Sequence, residues 1–182
     1  MIILDNILDE KELFNIYEDI LSKPSWYLSR GSSPDGSSLT TTTFAGLLVK
    51  NNGDILDHKY YKYFTSLLPK IYSKCLEEYD LDLPKNIRRV DVVAKQPGAN
   101  TNFHQDSLIP GAYSLIGMLS PVWEEEWGGE FYCNNEDRAS NDIVNHTPGS
   151  FIVIKSNLFH NGLPPKVNVP YWRVIVNYIL VP

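Results

Sequence analysis

From Pro84 onward the chain is built of short, β-branched segments with no helical stretch between them, and few folds accept that pattern. Arg89–Ala94, Ser114–Leu119, Phe151–Ile154 and Val174–Leu180 are separated by clusters of Gly, Pro and Asn. Segments of this kind read as strands bounded by turns. Parallel strands need long crossover connections, usually helices. Where those are missing the strands pair antiparallel, and the expected architecture is a sandwich or barrel.

The first half has a different texture. Asp9 and Glu12 have the spacing of a capping box, and Leu13, Phe14, Tyr17, Ile20 and Leu21 recur at helical period. Pro24 should end that helix. A second stripe runs from Tyr60 through Phe64, Leu68, Ile71 and Cys75 to Tyr79, with Pro69 placed to kink or divide it. Between the two lies a polar stretch near residues 29–43, rich in Ser, Thr and Gly, which is either a plain connector or a lid. The expectation is one domain: a helical N-terminal support over residues 1–83, and a β-core over 84–182.

Charge and cysteine content narrow the function classes. The net charge is −6, from 16 basic and 22 acidic residues. Such a surface repels phosphate backbones, so nonspecific nucleic-acid binding is not expected. Two cysteines, Cys75 and Cys133, are too few for a disulfide framework, which points to a reducing, cytoplasmic setting. The start, Met1-Ile2-Ile3-Leu4-Asp5, lacks a basic region, and no apolar run approaches the roughly 20 residues that cross a bilayer, so no membrane role is expected.

Only four histidines are present, and one of them heads His104-Gln105-Asp106. Two residues apart on an extended strand, an imidazole and a carboxylate face the same way and reach one ion. Alone the pair is a common accident. His160 strengthens it, because it lies just past an apolar strand that a neighbouring strand could return to the first pair. Two histidines and one carboxylate on a single face of an octahedral ion leave the other face open, as in nonhaem Fe(II) oxygenases. The same donors also serve hydrolytic zinc sites. Arg173 begins the last strand, and a buried Arg beside such a site calls for an anion, here an acidic cosubstrate. By alternation Ile175 and Asn177 share its face, and Arg89, Asp91, Val93 and Lys95 share one face of the first core strand. His146, beside the turn Pro148-Gly149, reads as a surface residue. His58 reads as the first residue of a helix with no role in the motif, and Glu124–Glu126 as a solvated loop. Trp123 and Trp127 flank that loop and are candidates for a substrate entrance.

Taken together, His104-x-Asp106, His160 and Arg173 resemble the iron(II)- and 2-oxoglutarate-dependent dioxygenases, in their prolyl-4-hydroxylase-like branch. Pro97-Gly98 stands upstream of the first histidine as in that branch. Leu119–Trp123, Trp127 and Gly128-Gly129-Glu130-Phe131 are similar to its "Tyr-Leu-Asn, Trp, Gly-Gly-Glu-Leu" segment, and Thr147–Ile154 resembles the strand before its distal histidine. The resemblance covers residues 88–182, about half the chain.

This resemblance implies a double-stranded β-helix, the jelly roll also seen in cupins, fronted by the N-terminal helices. It implies Fe(II) on His104, Asp106 and His160, with Arg173 pairing with the distal carboxylate of 2-oxoglutarate, and O2 as second cosubstrate. Members often use ascorbate to keep the iron reduced. The expected reaction is hydroxylation of an aliphatic C–H with release of succinate and CO2, and Asp106 favours it, since halogenating members lack that carboxylate. Some positions depart from the pattern. Lys95 stands where collagen-type enzymes place a cosubstrate tyrosine, and Met118 where hypoxia-type enzymes place another. Ser114 falls at their threonine position and is a candidate cosubstrate hydroxyl. The leading substrate is a prolyl or other peptidyl side chain of a peptide or protein. Alternatives are a free amino acid or small metabolite, a noncatalytic jelly-roll binding or sensor module, and a zinc hydrolase. No residue pattern specifies an oligomeric state.

Overall fold

The computed structural model describes residues 1–22, 27–29, 43–49, 55, 58–99, 102–135 and 140–182. Helix α1 (Glu10–Leu21) starts where its cap dictates: Asp9 accepts from the Glu12 amide at 2.8 Å and the Glu12 carboxylate accepts from the Asp9 amide at 3.0 Å. The two orphan amides are thus satisfied reciprocally. The second helical stripe is divided at Pro69 into α2 (His58–Thr65) and α3 (Leu68–Tyr79). Proline is tolerated in a helix's first turn, where its missing N–H has no partner to lose, and it sits in that turn of α3.

The strands are β1 (Ile2–Leu4), β2 (Tyr27–Ser29), β3 (Thr43–Val49), β4 (Asn86–Lys95), β5 (Tyr113–Met118), β6 (Phe131–Asn134), β7 (Asn141–Val144), β8 (Phe151–Lys155), β9 (His160–Gly162) and β10 (Arg173–Val181). Seven form one antiparallel sheet in the order β1-β8-β5-β10-β4-β3-β2, and a smaller sheet runs β7-β6-β9. This is the mainly β, jelly-roll architecture that the spacing of the C-terminal segments indicated, with helices added from the N-terminal half. That half is less helical than expected, because β1 and β3 join the main sheet: β1 pairs with β8, and β3 pairs with β4. The lid-or-connector segment near 29–43 has its ends in β2 and β3, while residues 30–42 lie outside the described residues.

Strand alternation sorts the core into two layers. Val174, Val176, Tyr178 and Leu180 of β10 and Val90, Val92 and Ala94 of β4 pack against Leu13, Ile16 and Ile20 of α1 and Phe64, Ile71 and Cys75 of α2 and α3. The buried Tyr178 hydroxyl donates to the Phe64 carbonyl at 3.0 Å, which ties this layer to α2. Facing the small sheet, Ile116, Met118, Ile152 and Ile154 meet Phe131 and Cys133, with Ile175 against them. Arg173 and Asn177 belong to this second face by the same alternation.

One close packing contact yields a stability prediction. Gly117 pairs with Phe151 across β5 and β8, and a Cβ at Gly117 would lie 2.4 Å from the Phe151 ring. The ring is fully buried and cannot swing away. Overpacking of this kind costs about 1–3 kcal/mol. Gly117→Ala should therefore lower the melting temperature by roughly 3–10 °C in thermal denaturation.

Candidate metal centre

His104 and His160 are brought together by backbone pairing. The His104 amide donates to the His160 carbonyl at 3.0 Å and the His160 amide donates back at 2.9 Å, an isolated antiparallel bridge that extends the small sheet beyond β9. Asp106 is anchored from the other side, where its amide donates to the Ser156 carbonyl just past β8 at 2.9 Å. One ligand atom from each of His104, Asp106 and His160 lies within 4.8 Å of the others. The His104 Nε2–Asp106 Oδ1 distance is 3.6 Å and the His160 Nε2–Asp106 Oδ2 distance is 3.4 Å. Donors about 2.1 Å from a shared ion lie roughly 3–3.4 Å apart, so both histidine–carboxylate distances are close to those of a shared metal.

The surroundings prepare the three donors. His104 Nδ1 is 3.1 Å from the Asn102 carbonyl, and His160 Nδ1 is 3.0 Å from the Leu158 carbonyl. A carbonyl only accepts, so each Nδ1 carries a proton, and each Nε2 is the atom that would offer its lone pair to a bound metal. Phe131 stacks on the His160 ring at 5.5 Å. Ser114 donates to Asp106 Oδ2 at 2.6 Å, and its own oxygen is 2.9 Å from Ser156 Oγ. Burial works to raise the Asp106 carboxyl, but hydrogen bonds from His104 and His160 reverse this and hold it well below its ordinary range. Ser114, expected as a cosubstrate hydroxyl, is placed beside the metal donors, with its proton directed to the Asp106 carboxylate. Ser156, its partner, carried no signal in the sequence.

Arg173 is 1% exposed, with Nε donating to the Gly129 carbonyl at 2.9 Å. A Cβ at Gly162 would lie 2.9 Å from both Nη1 and Nη2, so only glycine leaves room for the guanidinium there. Nη2 is buried without a hydrogen-bond partner among the described residues. A buried, half-satisfied guanidinium is costly unless an anion completes it, and this cradle fits a carboxylate. Lys95 is directly across β4 from Arg173, and its Nζ donates to the Gly162 carbonyl. Burial, reinforced by the Arg173 charge, brings its amine down to about 7.

Further along the same face, Asp91 lies opposite Asn177 and is 2% exposed. Arg89 Nε is 2.8 Å from Asp91 Oδ1, yet burial still pushes that carboxyl up to about 6. Asn177 Oδ1 is buried with no hydrogen bond among the described residues. Trp123 and Trp127 meet edge to face at 5.7 Å, and Trp127 stacks on Tyr171 at 5.5 Å. His146 corrects the expectation of a surface residue: it is 3% exposed, with its ring centroid 4.4 Å from that of Trp123. The turn signal beside it was genuine, but the turn folds inward. His58 opens α2 as expected, and its side chain lies outside the described residues.

No family model matches the chain, and no curated protein matches it by sequence. Solved structures do match. A Pseudomonas putida prolyl-4-hydroxylase is similar over 100% of this chain and 92% of its own, with a TM-score of 0.71 at 12% identity. A 2OG-Fe(II) oxygenase family oxidoreductase from Burkholderia pseudomallei aligns over 95% and 80% with a TM-score of 0.71 at 14% identity. A Trichoplax adhaerens prolyl hydroxylase, solved with a peptide fragment of the hypoxia inducible factor oxygen degradation domain, aligns over 98% and 82% with a TM-score of 0.68 at 15% identity. No helix among the described residues is long and apolar enough to cross a membrane. The chain thus has the jelly-roll fold of the 2-oxoglutarate- and Fe(II)-dependent oxygenases, and within it His104, Asp106 and His160 form a group that could hold a metal ion.

Proposed function

We propose that this chain is an Fe(II)- and 2-oxoglutarate-dependent dioxygenase that hydroxylates an aliphatic C–H bond of a prolyl or other peptidyl side chain. The observation that carries the reading is a pairing within one jelly roll. A His104–Asp106–His160 donor set shares the fold with a fully buried Arg173 whose Nη2 lacks a hydrogen-bond partner among the described residues. In this reading the three donors hold the metal, and Arg173 takes the distal carboxylate of 2-oxoglutarate. When bound, Fe(II) and 2-oxoglutarate supply the oxidation, in which O2 places one oxygen in the C–H bond and one in succinate as CO2 leaves. The chain's own part is orientation and exclusion of water. The Asn102 and Leu158 carbonyls aim the imidazoles, Ser114 holds the carboxylate, and Ile116, Met118, Ile152 and Ile154 keep the interior dry. Two free, buried cysteines suit the reducing, cytoplasmic setting proposed for it.

The test is an anaerobic titration of the apoprotein with Fe(II) and 2-oxoglutarate. A visible metal-to-ligand charge-transfer band should appear, and His160→Ala should lose it. A folded, iron-loaded protein without the band would overturn the reading and favour a binding module or a zinc hydrolase.

A peptidyl substrate is supported by the prolyl hydroxylases among the similar structures, one of them solved with a peptide fragment. A free amino acid or small polar metabolite is favoured instead by Arg89, Asp91 and Asn177, a charged and polar group on the Arg173 face of the main sheet. Succinate release separates the two. Proline-containing peptides are expected to stimulate it, and stimulation by free amino acids alone would transfer the assignment to the second substrate class.

A further inference from the structure

The least satisfied polar side chain near Arg173 is His146. Both of its ring nitrogens are buried and neither has a hydrogen-bond partner among the described residues. Native structures rarely leave such groups alone, and a missing ligand is one of the few explanations. The ring is held there by a locked turn. The Thr147 amide donates to Met118 Sδ at 2.9 Å, the Gly149 amide donates to the Met118 carbonyl at 2.9 Å, and the Met118 amide donates to the Ser150 carbonyl at 2.9 Å. Gly149 has φ +78°, and a Cβ there would strike the Leu8 carbonyl oxygen at 2.4 Å. The position of His146 is therefore part of the fold and not a rotamer accident.

The same ring belongs to the Arg173 neighbourhood. Trp123 stacks obliquely on His146 and presses on Gly129, where a Cβ would lie 2.7 Å from the Trp123 ring and 3.3 Å from Arg173 Cδ. Burial, with the Arg173 charge added, holds the imidazole neutral, with one N–H to donate. Two other donors on this face have partners already: Ser114 donates to Asp106, and Lys95 to the Gly162 carbonyl. Met118 and Ile175 have none to give. A carboxylate has room for about four hydrogen bonds, more than Arg173 Nη2 can supply.

We propose that His146 is a second binding residue for the distal carboxylate of 2-oxoglutarate, donating a ring N–H to the anion that Arg173 neutralises. This rests on the dioxygenase reading. An anion that reaches both side chains would satisfy both orphaned groups at once, which a purely packed imidazole does not.

The experiment is a chemical double-mutant cycle by calorimetry on the Mn(II)-loaded protein without O2. Wild type and His146→Phe are each titrated with 2-oxoglutarate and with 2-oxobutyrate, which lacks the distal carboxylate. His146→Phe should weaken 2-oxoglutarate about tenfold and leave 2-oxobutyrate within about twofold. Equal weakening of both acids, or no weakening of either, overturns the proposal. A second measurement needs no variant: in the Zn(II) form with 15N-histidine, the His146 ring N–H signal should move on adding 2-oxoglutarate and stay with 2-oxobutyrate, and a signal indifferent to the distal carboxylate overturns it equally. Wild type that binds no 2-oxoglutarate at all sinks the dioxygenase reading, whereas normal wild-type binding with an unaffected variant sinks only the role of His146.

Discussion

Asp106→Ala should abolish substrate-dependent succinate release, a loss of at least about a thousandfold, while leaving the protein folded. Asp106 is the one anionic donor of the group, so its removal leaves two neutral imidazoles to hold a divalent ion. Its carboxylate lies outside the apolar core, where Ser114 and the two histidines are its contacts. The backbone bond from its amide to the Ser156 carbonyl does not depend on the side chain. Circular dichroism should accordingly match wild type, and Fe(II) affinity measured by equilibrium dialysis should collapse. Retained iron with retained turnover would show that the ligands lie elsewhere.

Arg173→Gln should raise the apparent 2-oxoglutarate constant by about a hundredfold, with a much smaller effect on iron binding. Truncating one partner of a buried, hydrogen-bonded charge pair costs about 2–5 kcal/mol, and a hundredfold change is about 2.7 kcal/mol. The side chain has no salt-bridge partner within 4 Å among the described residues, and burial brings its guanidinium down to about 10, with the Glu130 charge working the other way. Gly162→Ala offers an independent route to the same outcome, because the added methyl would sit 2.9 Å from the guanidinium nitrogens and displace them. A zinc hydrolase built on the same three ligands has no use for this cradle. An unchanged 2-oxoglutarate constant in both variants, measured by succinate release, would therefore favour that alternative.

The features legible in the sequence were those set over short stretches. The Asp9–Glu12 capping box, the division at Pro69 and the four long apolar strands each depend on neighbours a few residues away, and each is present. Strand β3 was not read, because Thr43–Val49 follows a long polar stretch and carries a glycine, and its pairing with β4 is a long-range fact. The edge strand β1 and the three- and four-residue strands β9, β6 and β7 are too short for their periodicity to stand out.

The same division holds for the site. By itself the sequence pointed to the donor set, because His104 and Asp106 two residues apart, with His160 past an apolar strand, have the spacing to reach one ion, and the fold brings their donor atoms within 4.8 Å of one another. It also placed Arg173 on the interior face, through the two-residue alternation of β10. Only the tertiary structure decided what those residues are partnered with. Ser114 became a support for Asp106 when β5 and the turn after β8 met beside it. His146 turned from an apparent surface residue into a buried one because its turn folds in against Trp123. Local chemistry is written in spacing, whereas hydrogen-bond ownership and burial are set by which distant strands pack together.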